Sequence, residues 1–500
     1  MTPANAHTRR DFLSMALLGT VGGAAWLRSV LAAGSQQWDP NRTLRKLGRP
    51  LKVQPVLMYK LPVPKPQTSW KSWGGVQSES EVQREVNLIT HELQWLLKRA
   101  DFQVEMQPVL RVSTEEAAGQ LAAMDYDVTL LYACTGGGSL LRACCAAKRD
   151  TVVFVRHRSG PVYYWYEALS TAYLKTGDAD GSGSVHVDDV VVDDLNDLLW
   201  RLRATAAAQN TRGTRIVALG GVWGKYAPDA PDTAKKRFGL QIIEVSYDDF
   251  ARKLRSLMRN DAVLSDAERW TRSYLAIPRT RLMTDRKFVV NAFVLYVAFK
   301  ELLDEHAAPA FTIKSCMGTI IPMAETTACL TLELLNDEGL AAFCESDFVI
   351  IPAGLLLRHV SGKPVFLHNS TFPHKGMVTC AHCTCPRRLD GRRYEPADIM
   401  THYESEYGAA PKVEIPIGQL LTFIDPEYST DRWVGFTGKV RANPFYAICR
   451  SQQDVEVPGQ WQKLVNEVRD SHWVAAYGNY LKESKYAARK FGIKFSTINS

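Results

Sequence analysis

The feature that most constrains this chain is an alternation of short apolar runs with helical stretches, and it occurs twice. The first series opens with "VQPVLMYK" (53–60) and a Pro-rich lead, "LPVPKPQTSW" (61–70). Residues 81–100 then carry Val82, Val86, Ile89, Leu93, Leu96 and Leu97 at helical spacing. "DVTLLY" (127–132) has the composition of a buried strand, and "TGGG" (135–138) makes a Gly loop that opens a helix. "TVVFVR" (151–156) is the next strand, followed by a helix, "YWYEALSTAYLKTG", that Gly177 stops. Strands that are apolar on both faces and alternate with helices predict a parallel sheet covered on both sides.

The pattern restarts after "AAAQNTRGT" (206–214). "RIVALGG" (215–221), "LQIIEVS" (240–246), "AFTIKSC" (310–316), "AAFCESD" (341–347) and "PVFLHN" (364–369) read as strands. Helices are predicted from Asp248, over 287–303, over 325–339 and over 347–360. Beyond Pro386 the texture changes to alternating segments at 412–424, 432–442 and 445–457, with turn residues between them and helices near 459–469 and 476–490. The expected fold class is therefore α/β, with parallel-sheet domains at 50–214 and 215–385 and a β-rich, barrel-like domain at 386–500.

The N-terminus carries a different signal. "TRRDFLSMALLGTVGGAAW" places Arg9 and Arg10 ahead of a short apolar run, and "LAAGS" (31–35) supplies small residues for cleavage. That layout predicts a signal peptide over 1–33, cleaved near Ala33. The run is too short and Gly-rich for a membrane span, which needs about 20 apolar residues. The Arg pair followed by x-Phe-Leu resembles the twin-arginine signal. The resemblance implies the twin-arginine translocase as a partner, export in the folded state, and a periplasmic or secreted location.

The net charge of +7 is small for 500 residues, and the basic clusters, such as Arg387, Arg388, Arg392 and Arg393, are short. A basic stripe interleaved with aromatics is missing, which argues against a nucleic-acid partner. Ten cysteines are sparse for an exported chain of this length, and spacing alone assigns no bridge.

"MVTCAHCTCPRR" (377–388) gathers Cys380, His382, Cys383 and Cys385. A structural zinc site takes four ligands, commonly in two Cys/His pairs, and only one cluster is present. Strand alternation sends Cys380 and His382 to one face and Ala381 and Cys383 to the other. A Cys-based zinc knot and a disulfide within the cluster stay open beside a strand that delivers His382 to a site. Other candidates end predicted strands: Glu345 and Asp347 in "FCESD", His368 and Asn369 in "FLHNSTF". His472 and Trp473 open the aromatic-rich "SHWVAAYGNY". Singly, each such residue is most often a hydrogen-bonded structural group. Strand carboxyl ends are nevertheless where α/β sheets bind ligands.

The stretch from "KSCMGTIIPMAETTACLTLELLNDEGLAAFCESD" through "SGKPVFLHNSTF" to "TCAHCTCP" resembles the L-fucose/L-arabinose isomerase superfamily, as does "CRSQQDVEV…SHWVAAYGNYLKE…FGI". The resemblance covers about 310–500 in motifs and 50–310 at the level of fold. It implies two Rossmann-like domains and a β-rich C-terminal domain, in a homo-oligomer whose subunits share the site. It implies interconversion of an open-chain aldose and ketose through a cis-enediol, on a sugar or polyol. A divalent metal, usually Mn2+, would chelate the carbonyl and hydroxyl oxygens. Glu345, His382 and His472 match metal-binding positions, with His368, Asp347 and Trp473 beside the substrate. The family's second carboxylate falls at or beside Asn369, so Glu345 and Asn369 stand as the catalytic pair, with proton transfer open to Glu345 or to another group such as Asp347 or His368. An amide oxygen can ligate a hard cation, but it cannot act as a base. The alternative is a non-catalytic periplasmic carbohydrate-binding protein on the same scaffold, and a third reading keeps the fold alone for a structural role.

Overall fold

The computed structural model describes residues 37–499 apart from 146–148, 170–173, 175–184 and 429–430. The predicted signal segment 1–33 lies outside the described residues. So does half of the helix expected over 164–177, of which Trp165–Ala168 is helical. Two compact units emerge. One comprises Gly48–Asn210 with Lys482–Gly492, and the other Thr211–Leu481 with the described residues up to Leu47 and from Ile493.

In the first unit the strands are β1 (Leu51–Met58), β2 (Val104–Met106), β3 (Leu110–Val112), β4 (Val128–Ala133), β5 (Asp150–Val155) and β6 (Val190–Val192). All pair in parallel, in the order β2-β1-β4-β5-β6, with β3 beside β2 on the same edge of β1. Chain order reverses between β1 and β4, so the carboxyl ends of those strands flank a crevice. The helix Glu79–Arg99 is capped by Ser78, whose side chain accepts from the Glu81 amide, and it carries Lys98 and Arg99 in its last turn. It buries Val82, Ile89, Leu93 and Leu96 of the predicted apolar stripe, while Leu97 at its end is exposed.

The second unit begins with β7 (Arg215–Leu219), β8 (Gln241–Val245), β9 (Thr280–Leu282), β10 (Ala310–Ile313), β11 (Ala341–Phe343), β12 (Phe366–Ser370) and β13 (Met377–His382). It continues with β14 (Ala397–Met400), β15 (Ala410–Val413), β16 (Leu420–Pro426), β17 (Arg432–Ala442), β18 (Ser451–Glu456), β19 (His472–Tyr477) and β20 (Lys494–Thr497). A second all-parallel sheet has the order β11-β10-β7-β8, and its chain order reverses between β7 and β10. The helix Arg286–Glu305 is buried along most of its length and packs with the helices around that sheet. In the C-terminal region six antiparallel strands, β16-β19-β12-β13-β18-β17, close into a barrel through the β16–β17 pairing, and β20 adds in parallel to β17. A small sheet, β15-β14-β9, completes the unit.

The sequence pattern does not mark the short strands β2, β3, β6, β9, β14 and β20, and three elements that it does mark change in the structure. The sequence pattern puts the run at 364–369 in the second parallel sheet, but β12 pairs antiparallel with β13 and β19 in the barrel. A short apolar strand has the same composition in either setting, and only the connection distinguishes them. The segment 412–424 is two strands rather than one, broken at Pro416 and at Gly418 (φ 85°). The helix expected over 476–490 begins later, at Leu481, because residues through Tyr477 form β19. Pairing with β12 and β16 overrides the helix preference of Ala475 and Ala476. Among the described residues no helix is long and apolar enough to cross a membrane.

Candidate functional site

The site grows from the end of β11. Glu345 (φ 68°) and Ser346 (φ 50°) are consecutive left-handed residues without being glycine. Such a conformation costs of order 1–3 kcal/mol per residue, so neighbouring contacts must hold it. The Trp223 amide donates to the Ser346 carbonyl (3.2 Å), and the Phe348 amide to the Trp223 carbonyl (2.9 Å). Asp347 Oδ1 accepts from the amides of Lys225 (3.0 Å) and Val349 (3.1 Å). The turn buries Asp347 completely and leaves the Glu345 side chain 39% exposed.

The barrel wall supplies the facing groups. Asn369 in β12 lies opposite His472 of β19 on one side and Ala381 of β13 on the other, next to His382. These register positions bring His382 and His472 to the two oxygens of one carboxylate. His382 Nε2 is 3.5 Å from Glu345 Oε1, and His472 Nε2 is 3.3 Å from Glu345 Oε2. Both rings are fixed from behind: His472 Nδ1 lies 2.7 Å from Asp347 Oδ2, and His382 Nδ1 lies 2.9 Å from Thr384 Oγ1. Burial opposes charge on His472, but hydrogen bonds to Asp347 and Glu345 outweigh it and raise its pKa to about 9. Burial likewise opposes charge on Glu345, yet His382 and His472 hold its carboxyl well below the usual range.

A cavity of about 650 Å³ opens over this group. It lies at the carboxyl ends of β7 and β10, where the order of the parallel sheet reverses, which is the expected ligand position in such sheets. Glu345, Asn369 and His382 line it, together with Lys225, Lys314, His402 and Glu404. Lys314 Nζ donates to the Val222 carbonyl (3.1 Å). His402 is 6% exposed, and its Nδ1 has no hydrogen-bond partner.

The donors suit a hard or borderline divalent cation: one carboxylate, two imidazoles and an amide oxygen. His472 Nε2 is buried facing Glu345 Oε2, while Nδ1 is anchored on a carboxylate. Such an anchor on the far nitrogen is what turns a histidine toward a metal. Among the described residues, however, no group of three or more His, Cys, Asp or Glu side chains is already arranged to hold an ion. Glu345 spans the gap instead, one oxygen against each imidazole.

Of the sequence candidates, Glu345, Asn369 and His382 share the cavity, and His472 and Asp347 stand behind Glu345. His368 and Trp473 are buried in an aromatic cluster with Phe423 and Phe436. The Trp473 indole donates to the Asp470 carbonyl (2.7 Å). The thiols of "TCAHCTCP" are divided between clusters: Cys380 and Cys385 pack into the main core, Cys383 with Cys329 and Ala410. Among the described residues no cysteine forms a disulfide. Sequence reasoning missed Lys225, Lys314, His402 and Glu404. Lys314 directly follows β10, so the strand-end rule applied to Glu345 would have found it. His402 and Glu404 sit in the loop between β14 and β15, where no periodic pattern marks them. No protein-family model matches the chain, and no curated protein matches it either.

Proposed function

We propose that this chain is an exported, metal-dependent enzyme of the sugar-isomerase kind, resembling the L-fucose/L-arabinose isomerases and interconverting an open-chain aldose and ketose of a sugar or polyol. The observation that carries the reading is Glu345 held between His382 and His472, one oxygen toward each Nε2, with His472 anchored at Nδ1 on Asp347. Glu345, His382 and His472 would hold the ion, Mn2+ by preference, with the Asn369 amide oxygen beside them. Bound there, such an ion would supply Lewis-acid polarisation of a carbonyl oxygen.

The remaining work belongs to the chain. Asp347 and Thr384 fix the imidazole orientations. Asn369 can donate to or accept from a substrate hydroxyl but cannot take its proton. Besides Glu345, Glu404 is the carboxylate on the cavity wall, and it is assigned the proton transfer between adjacent carbons. Lys225 and Lys314 at the sheet end hold substrate oxygens. The two parallel sheets with their order reversals support the Rossmann-like description. Export through the twin-arginine translocase rests on residues 1–33, and a homo-oligomer on the resemblance.

A second reading is favoured by Asn369 itself: a carbohydrate-binding protein that keeps the cavity and has lost one proton-transfer carboxylate. The deciding experiment is elemental analysis of the mature protein purified without added metal, beside a Glu345→Ala/His382→Ala variant, followed by an aldose–ketose screen. Near-stoichiometric divalent metal that the variant lacks, with turnover of a sugar, supports the enzyme. Metal without turnover favours the binder. No metal even after soaking in Mn2+ removes the isomerase reading.

A further inference from the structure

The unit built on β1–β6 has a cavity of its own, about 960 Å³, that the proposed isomerase chemistry does not use. It lies where Lys60 follows β1 and Thr135–Gly138 follows β4. These are the two strands between which the order of that sheet reverses, the topological position that the Glu345 cavity occupies in the other sheet.

The cavity wall is a built feature. The Lys60 amide donates to Thr135 Oγ1 (3.0 Å), and the Thr135 hydroxyl donates to the Lys60 carbonyl (3.2 Å). The loop that carries the rest of the wall is pinned at Gly74 (φ 52°) and Gly75 (φ 63°). A Cβ on Gly75 would lie 2.2 Å from Thr135 Cγ2, and one on Gly74 would lie 2.1 Å from the Val162 carbonyl oxygen. Only glycine allows this approach and these angles. Gln77 Nε2 ties the same loop to the Ser72 carbonyl (3.2 Å).

The chemistry of the wall is one-sided. Lys60 and Lys65 line it, no Asp or Glu does, and neither lysine forms an ion pair among the described residues. Trp70 (39% exposed) and Trp73 (69% exposed) line it, and the Trp73 ring sits 6.4 Å from that of Tyr164. Leaving two tryptophans this exposed costs hydrophobic free energy that a stacked ring would recover. Trp165, which also lines the cavity, is 7% exposed and has its Nε1 without a hydrogen-bond partner. Ser69, Ser72, Thr68 and Thr135 add hydroxyl partners.

We propose that this cleft is a second ligand site that takes an anionic, hydroxyl-rich ring compound, a sugar phosphate or a sugar acid. The lysines meet the anion, the tryptophans the C–H face of the ring, and the hydroxyls and Gly-loop amides its oxygens. The proposal is independent of the isomerase reading, since none of its residues belongs to the Glu345 group.

The test is calorimetric titration of the full chain with glucose 6-phosphate, glucuronate and glucose, with tryptophan fluorescence as a second readout. At least one anion should bind saturably and quench fluorescence, with glucose weaker by about tenfold or more. Lys60→Ala/Lys65→Ala and Trp73→Ala should each weaken the anion by a similar factor, while Glu345→Ala/His472→Ala should leave it unchanged. If the lysine variant melts early, salt on the wild-type protein gives the same information, because an ion-paired anion weakens as salt rises. Absence of binding by both anions up to about 10 mM overturns the proposal. So does equal affinity for glucose, or binding abolished by Glu345→Ala/His472→Ala and spared by the lysine variant. Tighter binding of AMP than of either sugar anion replaces the sugar with a nucleotide and overturns the assigned class.

Discussion

The Asp347 carboxylate holds the His472 ring: Oδ2 lies 2.7 Å from Nδ1, and both side chains are completely buried. Asp347 does two jobs, because its Oδ1 also secures the turn through the Lys225 and Val349 amides. Asp347→Asn separates them. An Asn oxygen can keep the turn, but its NH2 group faces His472 Nδ1 and forces the proton onto Nε2. A protonated Nε2 cannot ligate. The expected result is a fall of about 10–100-fold in Mn2+ affinity, with a much smaller change in thermal stability. Titration with Mn2+ and a melting curve on the same sample check it. Unchanged affinity would remove His472 from the metal site.

The proposed division of labour between Asn369 and Glu404 predicts opposite responses. Asn369→Asp adds charge between His472 and the β13 edge, so it should tighten Mn2+ binding. Glu404→Gln should leave metal binding in place and lower kcat by about 10²–10⁴-fold if Glu404 transfers the proton. Combining the two should restore part of the loss, because Asn369→Asp supplies a second carboxylate to the cavity. Steady-state kinetics on whichever sugar turns over reads all three. A Glu404→Gln enzyme with unchanged kcat returns proton transfer to Glu345.

The sequence made the central strands of the two parallel sheets legible, because β1, β4, β5, β7 and β10 are apolar on both faces and bounded by helices with clear caps, as at Ser78 for Glu79–Arg99. The short, half-exposed strands β2, β3 and β6 carry no such pattern. The barrel was less legible. Its strands β12 and β13 follow an α/β pattern without a break, and only pairing with β19 and β18 shows where they belong. Glu345 and Asp347 could be picked out as polar residues closing an apolar run. The left-handed turn that sends one to the cavity and the other behind His472 is set by contacts with Trp223 and Lys225, more than a hundred residues earlier. Trp473 illustrates the limit of proximity in sequence: it adjoins His472, but strand alternation sends it to the aromatic cluster around Phe423 and Phe436.

Acid should act on the first unit through Asp193. Its carboxylate accepts from the amides of His157 (2.8 Å), Arg158 (2.8 Å) and Ser159 (3.0 Å) and from the Ser159 hydroxyl (2.7 Å). Burial works against the charge, but these bonds win and lower its pKa to about 2. The folded value lies below the unfolded one, so the stabilisation is present above about pH 4 and is lost as pH falls toward 2. Solvent around the group reduces its worth to about 1 kcal/mol. Asp193→Asn should therefore lower stability at pH 7 and narrow its gap to wild type near pH 2.5. Denaturant melts at the two pH values measure this, and a gap that widens in acid contradicts it.

Gly354 tests how tightly the Glu345 turn depends on packing behind it. It lies inside the helix Ile351–Ser361, where alanine in place of glycine ordinarily stabilises by about 1 kcal/mol. Here a Cβ would lie 2.4 Å from Phe343 Cε1 and 2.9 Å from Cζ. Phe343 is the last residue of β11, two positions before Glu345, and both it and the helix are buried. The clash outweighs the propensity gain, since overpacking a filled core costs about 1–3 kcal/mol. Gly354→Ala should lower the melting temperature and weaken Mn2+ binding by shifting Glu345. Adding Phe343→Leu should recover part of the stability, because it removes the ring atoms in the way. A single Gly354→Ala variant that melts higher than wild type would mean that the ring moves freely and that the turn does not rest on it.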